Sequence, residues 1–121
     1  MHKVKLYEIP LYRGYLAVIV TDNLRKLKKL IPEYTRDDIF ASTYLTTINE
    51  FRTVATIFNP TDSSHITNGI ISHEAYHAAS FILDFAGHVS EFNDEPTAYL
   101  TEWCADRITE NIPAEYIYPK I

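Results

Sequence analysis

His73, Glu74 and His77 sit close together in Ser-His-Glu-Ala-Tyr-His, residues 72–77. Imidazole nitrogens bind transition metals, and a carboxylate moves protons. On a helix, residues four apart lie one above the other, so His73 and His77 can aim a ring nitrogen at one ion. Glu74 stands roughly 100° round from His73, beside that ion, where a water would sit. A zinc ion acidifies a neighbouring water, and a carboxylate in an apolar setting can take its proton and pass it to a leaving amine. Glu74 also falls on an apolar stripe, where an unpartnered carboxylate costs several kcal/mol to bury. A base at the catalytic edge of a central helix explains that placement. The competing reading is that Glu74 reaches the surface and the histidines are ordinary.

A helix must carry this group. Ile70, Ile71, Ala75, Ala78, Phe81, Ile82 and Phe85 recur at spacings of three and four, which predicts a helix over residues 66–86 closed by Gly87. Thr61, Asp62, Ser63 and Ser64 precede it as loop and capping residues. A second helix is expected from the Asn93-Asp94-Glu95-Pro96 start to about Asn111, before Pro113. Upstream, residues 42–48 and 52–58 are rich in Thr, Val, Ile, Tyr and Phe and read as a hairpin about Asn49-Glu50-Phe51. Residues 3–20 read as a strand or strand pair broken at Pro10 and Gly14. Asn23 or Asp22 caps a short helix ending before Pro32, whose Arg25, Lys26, Lys28 and Lys29 form a solvated side opposite its leucines. The tail after Glu115 is an extra strand or an arm. Together these elements predict an α+β fold: a small, mostly antiparallel sheet packed on the helix bearing the two histidines and on the helix that follows.

A catalytic zinc (Zn2+) normally has three protein ligands and a water, so one ligand must come from elsewhere. Asp84 is roughly 10 Å along the axis from His77 and cannot share the ion. Six residues past His77 stands Leu83, and three past it Ser80, which excludes the metzincin pattern of a further histidine and a glycine. His88, Glu91, Asp94 and Glu95 remain. Glu95 is favoured because it opens the second helix; the alternative is that it complements the helix dipole with Asp94 as the cap. His88 ranks next.

The 121 residues, 46% hydrophobic and 22% charged, make one domain, residues 1–121, with a modest core. The net charge of -5 argues against nucleic acid as a main partner. Cys104 is the single cysteine, which excludes an internal disulfide and fits a reducing compartment, so a cytoplasmic location is expected. The apolar run Leu16 to Val20 is too short for a leader or a membrane span, and no membrane association is expected.

His-Glu-Ala-Tyr-His, followed after a 17-residue gap by the glutamate of Asn-Asp-Glu-Pro-Thr-Ala-Tyr-Leu with Ala98 three beyond it, resembles the gluzincin zinc metallopeptidases. More closely, residues 66–103 are similar to short zinc-peptidase proteins of phages and prophages. The resemblance implies His73, His77 and Glu95 as zinc ligands, Glu74 as base and peptide-bond hydrolysis as the reaction. It also implies that the strand before the active helix, residues 52–58 from Arg52 to Phe58, is a sheet edge that pairs with an extended peptide substrate. Larger gluzincins have a helical subdomain that supplies an oxyanion donor, and this chain lacks one. Tyr99, one turn beyond Glu95, is the candidate for that role, with His88 and His65 behind it. The rival expectation is a metal-stabilised interaction or assembly protein with a non-catalytic zinc site.

Overall fold

In the computed structural model, which describes residues 1–88 and 94–118, the run Tyr-Leu-Ala-Val-Ile-Val-Thr forms the strand around which the rest is arranged. This strand, β2 (Tyr15–Thr21), is buried at every position after the first. A strand apolar at consecutive positions has no solvent face and belongs in the interior of a sheet covered on both sides. β1 (His2–Glu8) pairs with it antiparallel. After the short helix α1 (Leu24–Leu30), β3 (Ala41–Ile48) and β4 (Phe51–Phe58) form an antiparallel hairpin. β4 then docks on the other side of β2 in parallel register, Tyr15 opposite Thr53 and Val20 opposite Phe58.

The sheet order is therefore β1-β2-β4-β3. The chain is α+β with three helices and a mixed four-stranded sheet, its central pair parallel. This corrects the expectation that residues 52–58 form a sheet edge: β4 is hydrogen-bonded on both sides, and β3 carries the edge. β4, like β2, is buried on both faces from Thr53 to Phe58, and a strand so covered needs neighbours on both flanks.

Alternate residues of the two central strands feed two cores. Leu16, Val18, Val20, Val54 and Phe58 meet the helices α2 (Asn68–Phe85) and α3 (Glu95–Asn111). Ala17, Ile19, Ala55 and Ile57 meet Leu27 of α1 with Ile31 and Tyr34. A fully buried side chain such as Phe58 or Leu16 contributes about 1.5–3 kcal/mol. Lys28 of α1 pairs with Asp37 at 3.8 Å, and Arg25, Lys26 and Lys29 are exposed, so the basic face of that helix is solvated as expected.

The β3–β4 turn has two residues, Asn49 and Glu50, with φ of 51° and 69°. Both lie in the left-handed region that a tight hairpin demands, which places Phe51 in β4 rather than in the turn. α2 starts at Asn68 and takes its cap from Thr67, whose Oγ1 accepts from the Ile70 amide at 3.1 Å; residues 61–64, expected to supply the cap, form a small turn instead. Ile66 and Thr67 make a two-residue strand, β5, paired in parallel with β6 (Ile117–Tyr118). The tail thus adds a strand beside the start of α2. Among the described residues no helix is long and apolar enough to cross a membrane.

Candidate metal centre

α2 lies over the sheet with Ile71, Ala75, Ala78, Ala79, Ile82 and Leu83 buried. Glu74 sits in that stripe and is 6% exposed, as its position in the apolar pattern predicts. Its carboxylate has a partner from the sheet edge: Thr43 of β3 donates to Glu74 Oε1 at 2.8 Å, and its Oγ1 lies 3.3 Å from the Glu74 carbonyl oxygen. A charge-assisted bond to a partly buried hydroxyl is among the stronger single interactions a carboxylate can find. It also limits the carboxylate's freedom to rotate.

His73 and His77 stand to the outside of Glu74, both exposed. Their Nε2 atoms are 3.1 Å apart, and the rings are nearly perpendicular with centroids 4.6 Å apart. Tyr76, 51% exposed, flanks His77 at 6.3 Å between ring centroids. One helix therefore presents two convergent nitrogens at the surface with a carboxylate beneath them, anchored to an edge strand.

α3 contributes less directly. Glu95 is its first residue and Tyr99 lies one turn on, and both are exposed. No described hydrogen bond or ring contact joins either to the histidine pair. Among the described residues, no group of three or more His, Cys, Asp or Glu side chains gathers in a metal-holding arrangement. Glu91, another candidate, lies outside the described residues. His88 and Asp94 are brought to each other: His88 Nε2 and Asp94 Oδ2 are 2.5 Å apart, and the Thr97 hydroxyl donates to the same oxygen at 3.0 Å. That contact fastens the start of α3 to the end of α2 and occupies one nitrogen of His88. His65, the remaining histidine candidate, sets its ring 6.3 Å from that of Tyr116.

Comparison with protein-family models, with curated proteins and with solved structures gave no match. The two convergent imidazoles suit zinc, which takes histidine nitrogen at about 2.0–2.1 Å, and they make up two of the three protein ligands of a catalytic site.

Thr43 is the contributor that motif spacing does not reveal. Ala41, Thr43 and Leu45 alternate along β3, and Ala41 and Leu45 pack towards α2 and α3. Thr43 shares their face, and that alternation is the sequence signal for it. Cys104 is buried in α3, and burial pushes its thiol up to about 12, so it supplies neither a nucleophile nor a metal ligand.

Proposed function

We propose that the protein is a zinc-dependent peptidase whose metal is held by His73, His77 and Glu95 and whose base is Glu74. The observation that carries this reading is the 3.1 Å between the two Nε2 atoms. Two nitrogens bound to one tetrahedral zinc stand about 3.3 Å apart, given Zn–N distances of about 2.0–2.1 Å. A hydrogen bond between two neutral rings has a similar length, so metal content is the deciding measurement.

When bound, zinc supplies a Lewis acid for the scissile carbonyl and lowers the pKa of water. Glu74 accepts the proton of the attacking water and delivers it to the departing amine. Thr43 is a positioning residue: its hydroxyl holds one carboxylate oxygen and so steers the other. The outer edge of β3 offers backbone donors and acceptors to an extended peptide, one residue position of which lies beside Thr43. This moves the substrate strand from residues 52–58 to β3. The exposed hydroxyl of Tyr99 is the donor proposed for the developing oxyanion.

The test is native mass spectrometry of wild type beside Glu95→Ala and His88→Ala, followed by a peptide-library digest. One zinc per chain, weakened by Glu95→Ala and unaffected by His88→Ala, supports the ligand set. Absence of metal after zinc is added back removes the reading. Stoichiometric zinc with no cleaved peptide favours a metal-stabilised interaction protein.

A further inference from the structure

A cavity of about 270 Å³ opens at the far end of α2 from the histidine pair. Three elements build it. Leu11, Tyr12 and Arg13 come from the loop between β1 and β2, Arg52 from the start of β4, and Ile82 and Phe85 from the last turns of α2. Its size is just below the roughly 300–1,000 Å³ common for sites that hold drug-sized molecules, so only a small ligand would fit. Its lining is mixed: Leu11, Ile82, Phe85 and Ala86 are apolar, and Tyr12, Arg13 and Arg52 are polar or charged.

Two of the residues lining this cavity are arginines. Acidic residues outnumber Lys and Arg by 16 to 11, and Lys28, Arg36 and Arg107 each have an acid within ion-pair distance. Among the described residues, Arg13 and Arg52 have none, as is also true of Lys3, Lys5, Arg25, Lys26 and Lys29, and neither arginine side chain makes a hydrogen bond; what sets these two apart is that they line one cavity. What Arg52 does have is a ring: its guanidinium carbon lies 4.0 Å from the centroid of Phe85. An arginine stacked on an aromatic face is held in place while its edge N–H groups stay free to donate. The arrangement is an anion receptor preorganised by an apolar wall.

The loop that brings Arg13 is also held under strain. Leu11 has a φ of 66° and is 95% exposed, a conformation that L residues without a local hydrogen-bonding side chain rarely adopt. Gly14 has a φ of 104°, and a Cβ there would lie 2.9 Å from the Arg52 carbonyl oxygen. Only a glycine lets the loop come this close to the start of β4. The loop is the turn between the antiparallel β1 and β2, closed by the Ile9 amide donating to the Gly14 carbonyl at 3.2 Å, and this turn sets Leu11 and Arg13 in the lining of the cavity.

We propose that this cavity binds a carboxylate carrying a short apolar group, the carboxylate on Arg13 and Arg52 and the apolar part against Leu11, Ile82 and Phe85. The source of that chemistry is either a free short-chain carboxylic acid or the C-terminal carboxylate of a peptide ending in an apolar residue. The site is separate from the histidine pair and does not rest on the peptidase reading.

The experiment titrates the full chain with hexanoate, N-acetyl-leucine, N-acetyl-leucinamide and hexanol, following backbone amide signals by NMR. Hexanoate or N-acetyl-leucine should shift the signals of residues 11–13, 52 and 82–86 with saturable, millimolar-range binding, as expected for exposed guanidinium groups. The amide and the alcohol should not. Tighter binding of hexanoate names the free acid as the source, and tighter binding of N-acetyl-leucine names the peptide terminus; either supports the site. Arg13→Gln, on an exposed loop and outside any sheet, should weaken binding about fivefold with the other amide signals unchanged. Arg52→Lys should weaken it less than Arg52→Gln, because the charge remains while the stacked fork is lost. Failure of both acids to shift these signals, equal binding of the amide or alcohol, or unchanged affinity in Arg13→Gln overturns the proposal.

Discussion

The two ends of α2 carry opposite chemistry and are assembled in opposite ways. Towards its start, Glu74 is buried beneath two exposed imidazoles, and three of the four groups involved lie within five consecutive residues of one helix. Towards its end, Arg13 and Arg52 line a cavity beside Phe85 from a loop and from a strand, and the helix's own charge there is the exposed Asp84. That placement also suits the partial negative charge of a helix C-terminus, where α2 has no basic residue of its own. The contrast teaches that helical spacing places most of the first site's groups, with Thr43 added from the sheet edge, whereas the second depends on a loop staying docked. Perturbing the loop should disturb one and spare the other.

The largest separation between the ends should come from Glu74→Gln. The amide oxygen can still accept from Thr43, so the fold and zinc content should hold, while peptide turnover drops by about 10²–10⁴-fold. Hexanoate binding should be unchanged. His77→Ala should lose both zinc and turnover. Retained proteolysis in the glutamine variant would show that Glu74 is not the base.

Gly14→Ala tests the other end. An alanine at φ 104° with its Cβ against the Arg52 carbonyl should cost about 1–3 kcal/mol, read as a lower urea midpoint. The 11–13 loop should lift from β4 and weaken hexanoate binding, with metal content at the histidine pair intact. Loss of zinc in this variant would mean that the two ends are coupled.

Thr43→Val keeps the shape of the side chain and removes the hydroxyl. A nearly buried carboxylate without its donor should destabilise the fold by about 1–3 kcal/mol. Turnover should fall while zinc content is kept, since neither histidine touches Thr43. Unchanged turnover would reduce Thr43 to a structural role.

The smallest effect lies beneath both ends, at Cys104. Its thiol is raised to about 12 by burial, from a reference value of 9.0. The folded chain thus holds this proton while the unfolded chain releases it above about pH 9. Stability from this group is complete below that pH and is lost as pH rises towards 12, by about 1.4 kcal/mol at one unit above the unfolded value. Denaturant melts of wild type against Cys104→Ala between pH 8 and 10, values set by those thiol constants, should show the extra slope only in the wild type. Zinc content and hexanoate binding should be indifferent to the substitution.

These sites were legible in the chain to different degrees. The helix carrying His73, Glu74 and His77, and the burial of Glu74, follow from periodicity alone, because all the residues share one element. The β3–β4 hairpin is legible too, but a hairpin specifies only one flank of each strand. The resemblance to gluzincins makes residues 52–58 an expected edge, and nothing local announces the parallel neighbour on the other side. The consecutive apolar residues of β2 carried that information, since a strand with two buried faces needs partners on both flanks. Glu95 and Tyr99 depend on how α3 leans against α2, which side-chain periodicity does not encode. The arginines of the cavity were beyond reach for a similar reason: they line one cavity because β2 and β4 pair with Tyr15 opposite Thr53.

That parallel seam also sets an order of assembly. β1 with β2, and β3 with β4, are antiparallel neighbours in sequence, each closed by a short connection, and such pairs form in about 1–10 µs. β2 with β4 joins residues 38 positions apart throughout its register and must close the loop containing α1 before any of its hydrogen bonds is gained. Two ribbons should therefore form early and zip together late, with the meeting of β2 and β4 expected as the slow step, read as slowed folding in variants at that seam.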